Sequence, residues 1–238
     1  MSDALRPGGV GLLADRPAGC PERAALWALV TVALVVSFAR TADRATWFME
    51  TVPAMIGLAL MIATRRTFPL TRLLYWLIAV HALVLILGGT YTYAKVPLGE
   101  WAKDWFGFER NHYDRIGHFM QGFEPAILVR ELLVRRSPLA GSRWLAPLAF
   151  CACLAFSAFY ELVEWWVALA IGQDADAFLG TQGDPWDTQS DMAMAAIGSI
   201  AALSLLARLH DRQLRGVDPI GRPPATGAVD PLRRSSRM

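Results

Sequence analysis

The chain has 238 residues, 54% of them hydrophobic, with 9 tryptophans and only 18% charged side chains. A formal net charge of +2 is too small to point to nucleic acid, and the apolar residues fall in blocks too long for an ordinary soluble core. A spanning helix needs roughly 20 mostly apolar residues; residues 71–90 carry Arg72 as their only charge, and residues 144–172 only Glu161 and Glu164.

In chain order, residues 1–23 are rich in Gly, Pro and charge and read as a flexible cytoplasmic tail. A first span is expected over 24–39, closed by Arg40, and a second over 47–64, with Pro53 near its first turn, where proline is tolerated. The third covers 71–90 and is followed by Tyr91 and Tyr93, read as interfacial aromatics. Residues 98–111 set Trp101, Trp105, Phe106 and Phe108 among charges, which fits an amphipathic segment on the membrane surface or a structured loop. The fourth span, from 114 to about 134, is interrupted by His118, Glu124, Arg130 and Glu131, so it is not expected to face lipid all round. The fifth covers 144–171. The sixth covers 191–209, introduced by Asp184 and Pro185 as cap and first helical residue, with Asp187 at the third position. Residues 210–238 read as a disordered basic cytoplasmic tail.

The fold class is therefore an all-α polytopic membrane bundle: a transmembrane domain of about six helices over 24–209 between two tails. Cys20, Cys151 and Cys153 form neither a disulfide framework nor a zinc spacing, and no sustained apolar stretch precedes Cys20 as a lipoprotein signal would require. Arginine sets the orientation, because cytoplasmic loops carry excess Lys and Arg. Arg65, Arg66 and Arg72 lie in the second loop, Arg135, Arg136 and Arg143 in the fourth, and Arg208, Arg212 and Arg215 at the carboxyl end. Loop 172–190 has no Lys or Arg but holds Asp174, Asp176, Asp184 and Asp187. Both termini are expected in the cytoplasm.

Three polar stretches then fall at similar depth near the outer face: NHYDRIGHFMQGF from Asn111, YELVEWW from Tyr160 and TQGDPWDTQSDM from Thr181. Ionisable groups beside or within lipid-length runs are costly, and so mark candidate functional sites. At about 100° per residue, Asp114, His118, Gln121 and Pro125 share one face of the fourth helix, from which Glu124 points away. Cys153, Ser157, Glu161, Glu164 and Ala168 form a stripe on the fifth, and Asp187, Asp191, Met194 and Gly198 align on the sixth. Small residues beneath a polar cluster let helices approach closely. His112, Asp114, His118, Asp184, Asp187 and Asp191 are candidate ligands for a divalent metal ion such as Zn, Mn, Fe or Mg. Glu161 and Glu164 are candidate acid and base, and Arg115 a counter-ion or substrate clamp. His112 and His118, six apart, do not share a helical face, and no tight metal motif is present.

This pattern leaves three readings open: a membrane-embedded metal-dependent enzyme acting on a lipid or envelope-linked substrate, a small transporter binding a proton or cation, and polar groups that fix helix packing. His81, alone within the third span, fits an interhelical hydrogen bond better than a ligand. The stretches HYDRIGHFMQGF, FYELVEWW and QGDPWDTQSDM resemble the YjdF-like family of uncharacterised bacterial inner-membrane proteins, over most of 24–209. The resemblance implies a bacterial plasma-membrane location and a multi-span helical domain among membrane lipids, and implies no activity. The order of acidic and His residues is also similar to VanZ-like proteins, which are associated with glycopeptide resistance and envelope physiology. The doubled pair Glu161 and Glu164 and the Trp-rich context depart from that pattern, and no function carries over from it.

Overall fold

The computed structural model describes residues 17–171 and 182–217. The expected tails over 1–16 and 218–238, and Asp174, Asp176 and Thr181 of the acidic loop, lie outside the described residues. Among the described residues the chain is all helix and turn. The helices are α1 Cys20–Arg40, α2 Arg44–Thr64, α3 Arg72–Tyr91, α4 Pro97–Phe106, α5 Tyr113–Arg136, α6 Leu145–Ile171, α7 Asp187–Leu205 and α8 Ala207–Leu214.

Four of these, α1, α2, α3 and α6, are long and apolar enough to cross a membrane, and α7 with α8 qualifies only as a pair bent by 58°. The 24-residue α5 carries Asp114, Arg115, Glu124, Arg130, Glu131, Arg135 and Arg136, too many charges to face hydrocarbon. It is instead enclosed by α3, α6 and α7. The protein is thus a multi-pass helical bundle with the most polar of its long helices inside. The lipid-suited side chains Phe159, Leu162, Trp165 and Trp166 of α6 are exposed.

Local chemistry shifts several expected boundaries. Asp43 caps α2, its Oδ1 accepting from the Ala45 and Thr46 amides at 2.9 and 3.2 Å. The helix therefore starts three residues early, and Pro53 sits in its interior rather than near its first turn. These hydrogen bonds, the Thr46 hydroxyl first, hold the Asp43 carboxyl below its usual range. Asp184 is not the cap of α7. Gln182 and Gly183 bend the chain with φ of 48° and 85°, Asp184 Oδ1 accepts from the Trp186 amide at 2.9 Å, and the helix begins at Asp187.

The helix does not run straight to 209 before a disordered tail. It breaks at Leu206, and α8 turns away by 58° with His210 and Gln213 buried. The Leu73 amide donates to Gln213 Oε1 at 2.7 Å, and Arg130 pairs with Asp211 at 2.6 Å.

Tyr93 also differs from expectation. Thr92 adopts φ of 60°, which returns the chain into the bundle and packs the Tyr93 ring over Gly88 and Gly117, where a Cβ on either glycine would strike it. Tyr91 stays 41% exposed, as an interfacial aromatic should.

Candidate functional site

The site begins with the contact between α5 and α7, the tightest in the bundle. A Cβ on Gly122 would overlap the Ala195 carbonyl, and one on Gly198 the Phe119 carbonyl, so the two backbones meet with no side chain between them. This is how small residues bring membrane helices together. One turn above, the approach sets Asp191 of α7 beside His118 of α5.

His118 is 5% exposed and its two ring nitrogens face different groups. Nε2 lies 3.6 Å from Asp114 Oδ1 and 3.9 Å from Asp191 Oδ2. Nδ1 lies 3.0 Å from Gln121 Oε1 and 3.8 Å from Glu161 Oε1. Two sets of metal-compatible groups share the imidazole: Asp114, His118 and Asp191, and His118, Glu161 and Glu164, each with one ligand atom per residue within 4.8 Å of the others. Asp191 Oδ1, Glu161 Oε1 and the Ser157 hydroxyl are buried with no hydrogen-bond partner.

A cavity of about 50 Å³ adjoins the cluster, lined among others by Pro53, His81, Tyr93, Asp114, His118 and Tyr160. That volume holds a water or two, or an ion with its water. Phe156, 48% exposed, stands at its rim, and α2 and α6, which flank it, make no substantial contact. The cavity is thus bordered sideways by the lipid-facing surface.

Of the residues singled out from the sequence, Asp114, His118, Glu161, Glu164 and Asp191 come together. The others form a separate outer group. Arg110 donates to Asp187 Oδ1 at 2.6 Å and to Asp184 Oδ2 at 3.2 Å, while Arg115 donates to Asp184 at 2.8 Å. Asp184, Asp187 and Arg115 are therefore engaged with one another and with Arg110, away from the His118 ring. Gln182 straps the same loops, accepting from the Asn111 amide and donating to its carbonyl at 3.0 and 2.9 Å. His112 sits edge-on to Phe108, ring centroids 5.0 Å apart. Burial first, then Arg115 and Arg110, hold its imidazole below the ordinary value of 6.5, which disfavours the cation, and it joins neither group of metal-compatible atoms around His118.

Several residues that sequence reasoning passed over belong to the site. Glu50 is 7% exposed, has an oxygen without a donor, and is within electrostatic reach of Asp114. Burial, then Glu50, hold the Tyr93 hydroxyl well above its ordinary range, so it remains a donor. Glu124 does not point into lipid. Its Oε2 meets His81 Nδ1 at 3.1 Å across the α3–α5 interface. A charge one turn from a polar face, opposite a lone His in another span, was the available signal.

Residues 23–212 match the family described as "Predicted membrane protein (DUF2238)", and the chain belongs to that family. It is also similar to "Inner membrane protein YjdF" of Escherichia coli (strain K12), 52% identical over 186 residues, which cover 78% of this chain and 89% of that protein. No solved structure matches. The chain is accordingly a multi-pass protein of the bacterial inner membrane.

Proposed function

We propose that this member of an inner-membrane family is a divalent-metal-dependent membrane enzyme acting on a lipid or envelope-linked substrate that enters from the bilayer, a reading that rests on the site and not on the family. One observation carries the reading: His118 lies among four carboxylates, two of them buried, Glu161 and Asp191, and each of these two has an oxygen that lacks any donor. Buried ions cost several kcal/mol each unless compensated. The nearby guanidinium groups of Arg110 and Arg115 pair with Asp184 and Asp187 and act on Asp114 only through space, so a cation held among the carboxylates would complete their charge balance.

The donor chemistry fits. Gln121 Oε1 accepts from Nδ1–H of His118, which fixes the tautomer and turns the Nε2 lone pair toward Asp114 and Asp191, the outer-shell arrangement of protein metal sites. One imidazole and two carboxylates suit Zn, Mn or Fe. A divalent ion held there would supply Lewis acidity toward a phosphoryl or carbonyl oxygen. Glu161 and Glu164 flank the other edge of the ring as acid and base, and Tyr93 offers a hydroxyl donor across the cavity. The gap beside Phe156 supports entry of an amphipathic substrate along the membrane plane.

Six spans with both termini cytoplasmic complete the proposal, with a membrane domain over 24–209 and tails over 1–23 and 210–238; the burial of His210 argues for extending the domain through α8. The clustering of Arg65, Arg66, Arg135, Arg136 and Arg143 in the loops and the last turn of α5 at the end of the bundle remote from His118 supports that orientation.

A second reading, a small transporter or accessory protein that binds a proton or cation, draws on the cavity linking His118 to His81. Below His81 and Glu124, the fully buried Ala126 and Ile127 of α5 and Leu74 of α3 separate that pair from the next polar groups, which favours a closed site over a route.

Elemental analysis of detergent-purified protein beside His118→Ala and Asp191→Asn tests the metal. We expect close to one ion per chain in the parent and loss in both variants at unchanged size-exclusion profile. No metal after loading with Zn, Mn, Fe and Mg would overturn the enzyme reading and turn attention to proton uptake. With metal bound, Glu164→Gln is expected to retain the ion and lose hydrolysis of lipid-linked phosphates.

A further inference from the structure

At the opposite end of the bundle from His118, a groove of about 1090 Å³ opens between the end of α5, the start of α6 and α8. Its rim is basic: among the described residues, Arg130, Arg135, Arg136, Arg143 and Arg215 line it against a single carboxylate, Asp211. Two of these arginines are engaged. Arg130 pairs with Asp211 at 2.6 Å, and Arg135 with Glu131 at 2.6 Å. Arg136, Arg143 and Arg215 are exposed and have no carboxylate partner among the described residues.

The floor is apolar, formed by Val134, Leu145, Leu203 and Leu214. Trp144, 57% exposed beside the groove and 5.8 Å from the Arg143 guanidinium, marks the depth of the headgroup region, where tryptophan concentrates. A basic rim above an apolar floor at that depth matches an amphipathic anion and is more than a free phosphate needs. Basic pockets between membrane helices hold anionic headgroups by this chemistry.

We propose that this groove binds an anionic phospholipid, with its phosphate between Arg136, Arg143 and Arg215 and an acyl chain along Leu145 and Leu203. The site is separate from the His118 cluster and takes no part in the reaction proposed there. Its occupant ties the α5–α6 loop to α8 and so braces the bend at Leu206.

The test is thermal unfolding of the full-length protein in detergent, titrated with cardiolipin, phosphatidylcholine or inorganic phosphate. Cardiolipin is expected to raise the midpoint, and phosphatidylcholine to leave it unmoved. Each arginine near a membrane surface contributes roughly fivefold in anionic-lipid affinity, so the combined Arg136→Gln, Arg143→Gln and Arg215→Gln variant should bind on the order of a hundredfold more weakly. Lysine at the same three positions should restore most of the affinity. If the triple glutamine variant fails to fold, Arg143→Gln alone is expected to lose roughly fivefold. Equal stabilisation by phosphatidylcholine, unchanged affinity in the glutamine variants, or a phosphate effect as large as that of cardiolipin would each overturn the proposal.

Discussion

Helix α5 holds two polar clusters, one near each end, and they are built on opposite plans. Near its carboxyl end Glu131 is fully buried, yet its carboxylate accepts from the Thr71 hydroxyl at 2.8 Å, the Thr71 amide at 3.2 Å, Arg135 at 2.6 Å and His210 Nε2 at 3.0 Å. Arg130 has only protons to offer His210 Nδ1, at 2.9 Å, so the imidazole carries its hydrogen on Nε2 and gives it to Glu131. Two arginines face two carboxylates, and the charges balance. Near the amino end four carboxylates face one imidazole, and two buried oxygens have no donor. Polarity inside a membrane bundle is thus a poor guide to function by itself; what separates a fastener from a site awaiting a ligand is whether the carboxylate oxygens have donors, and the Arg135 nitrogens left without an acceptor, Nε and Nη2, belong to a guanidinium that lies over the Phe68 ring.

The contrast is sharpest under substitution. Glu131→Ala strips the acceptor from Thr71, Arg135 and His210 and should cost about 3–5 kcal/mol, the toll of breaking a buried ion pair, while the metal content of the folded fraction stays unchanged; thermal unfolding in detergent with parallel elemental analysis reads both. Asp191→Asn should do the reverse, weakening metal binding at least tenfold with little loss of stability, by equilibrium dialysis and the same melts. A large stability loss in Asp191→Asn would erase the distinction.

Between these lies the glycine contact that sets the upper cluster. Gly198→Leu forces side-chain atoms against the α5 backbone. It should cost about 1–3 kcal/mol as overpacking and weaken metal binding with it, whereas Gly57→Leu, with nothing within 4 Å of its added Cβ, serves as the silent control.

The smallest effect concerns His112. Its imidazole is held below 6.5 in the folded protein by burial and by Arg115 and Arg110. As pH falls below 6.5 the unfolded chain takes up the proton more readily, so the stabilisation, complete above that value, declines toward the folded pKa. His112→Gln should flatten the melting temperature slightly across pH 5 to 6.5.

How much of this the sequence revealed depends on the kind of residue. The ends of α3 and α6 lie within a residue of expectation, because 20 or more apolar residues leave little choice. Asp114, His118, Glu161, Glu164 and Asp191 were singled out because costly groups recur at one depth. Arg110 carries no mark in the sequence that ties it to the site, and only the folded strap of Asn111 and Gln182 brings it to Asp184 and Asp187. Tyr93 depended on one left-handed residue, Thr92, whose sequence carries no such mark. His210 and Gln213 looked like tail because their partners, Glu131 and Leu73, lie far away in the chain.

The burial of α5 bears on how the protein is made. This helix leaves the ribosome after α3, which already supplies His81 for Glu124 and Thr71 for Glu131, but before α7, its closest neighbour, and before His210. Its charges make it a poor candidate to enter lipid alone. The chain therefore delivers the most polar of its long helices half-accompanied, and the partners that complete its enclosure, α6 and α7, are made after it.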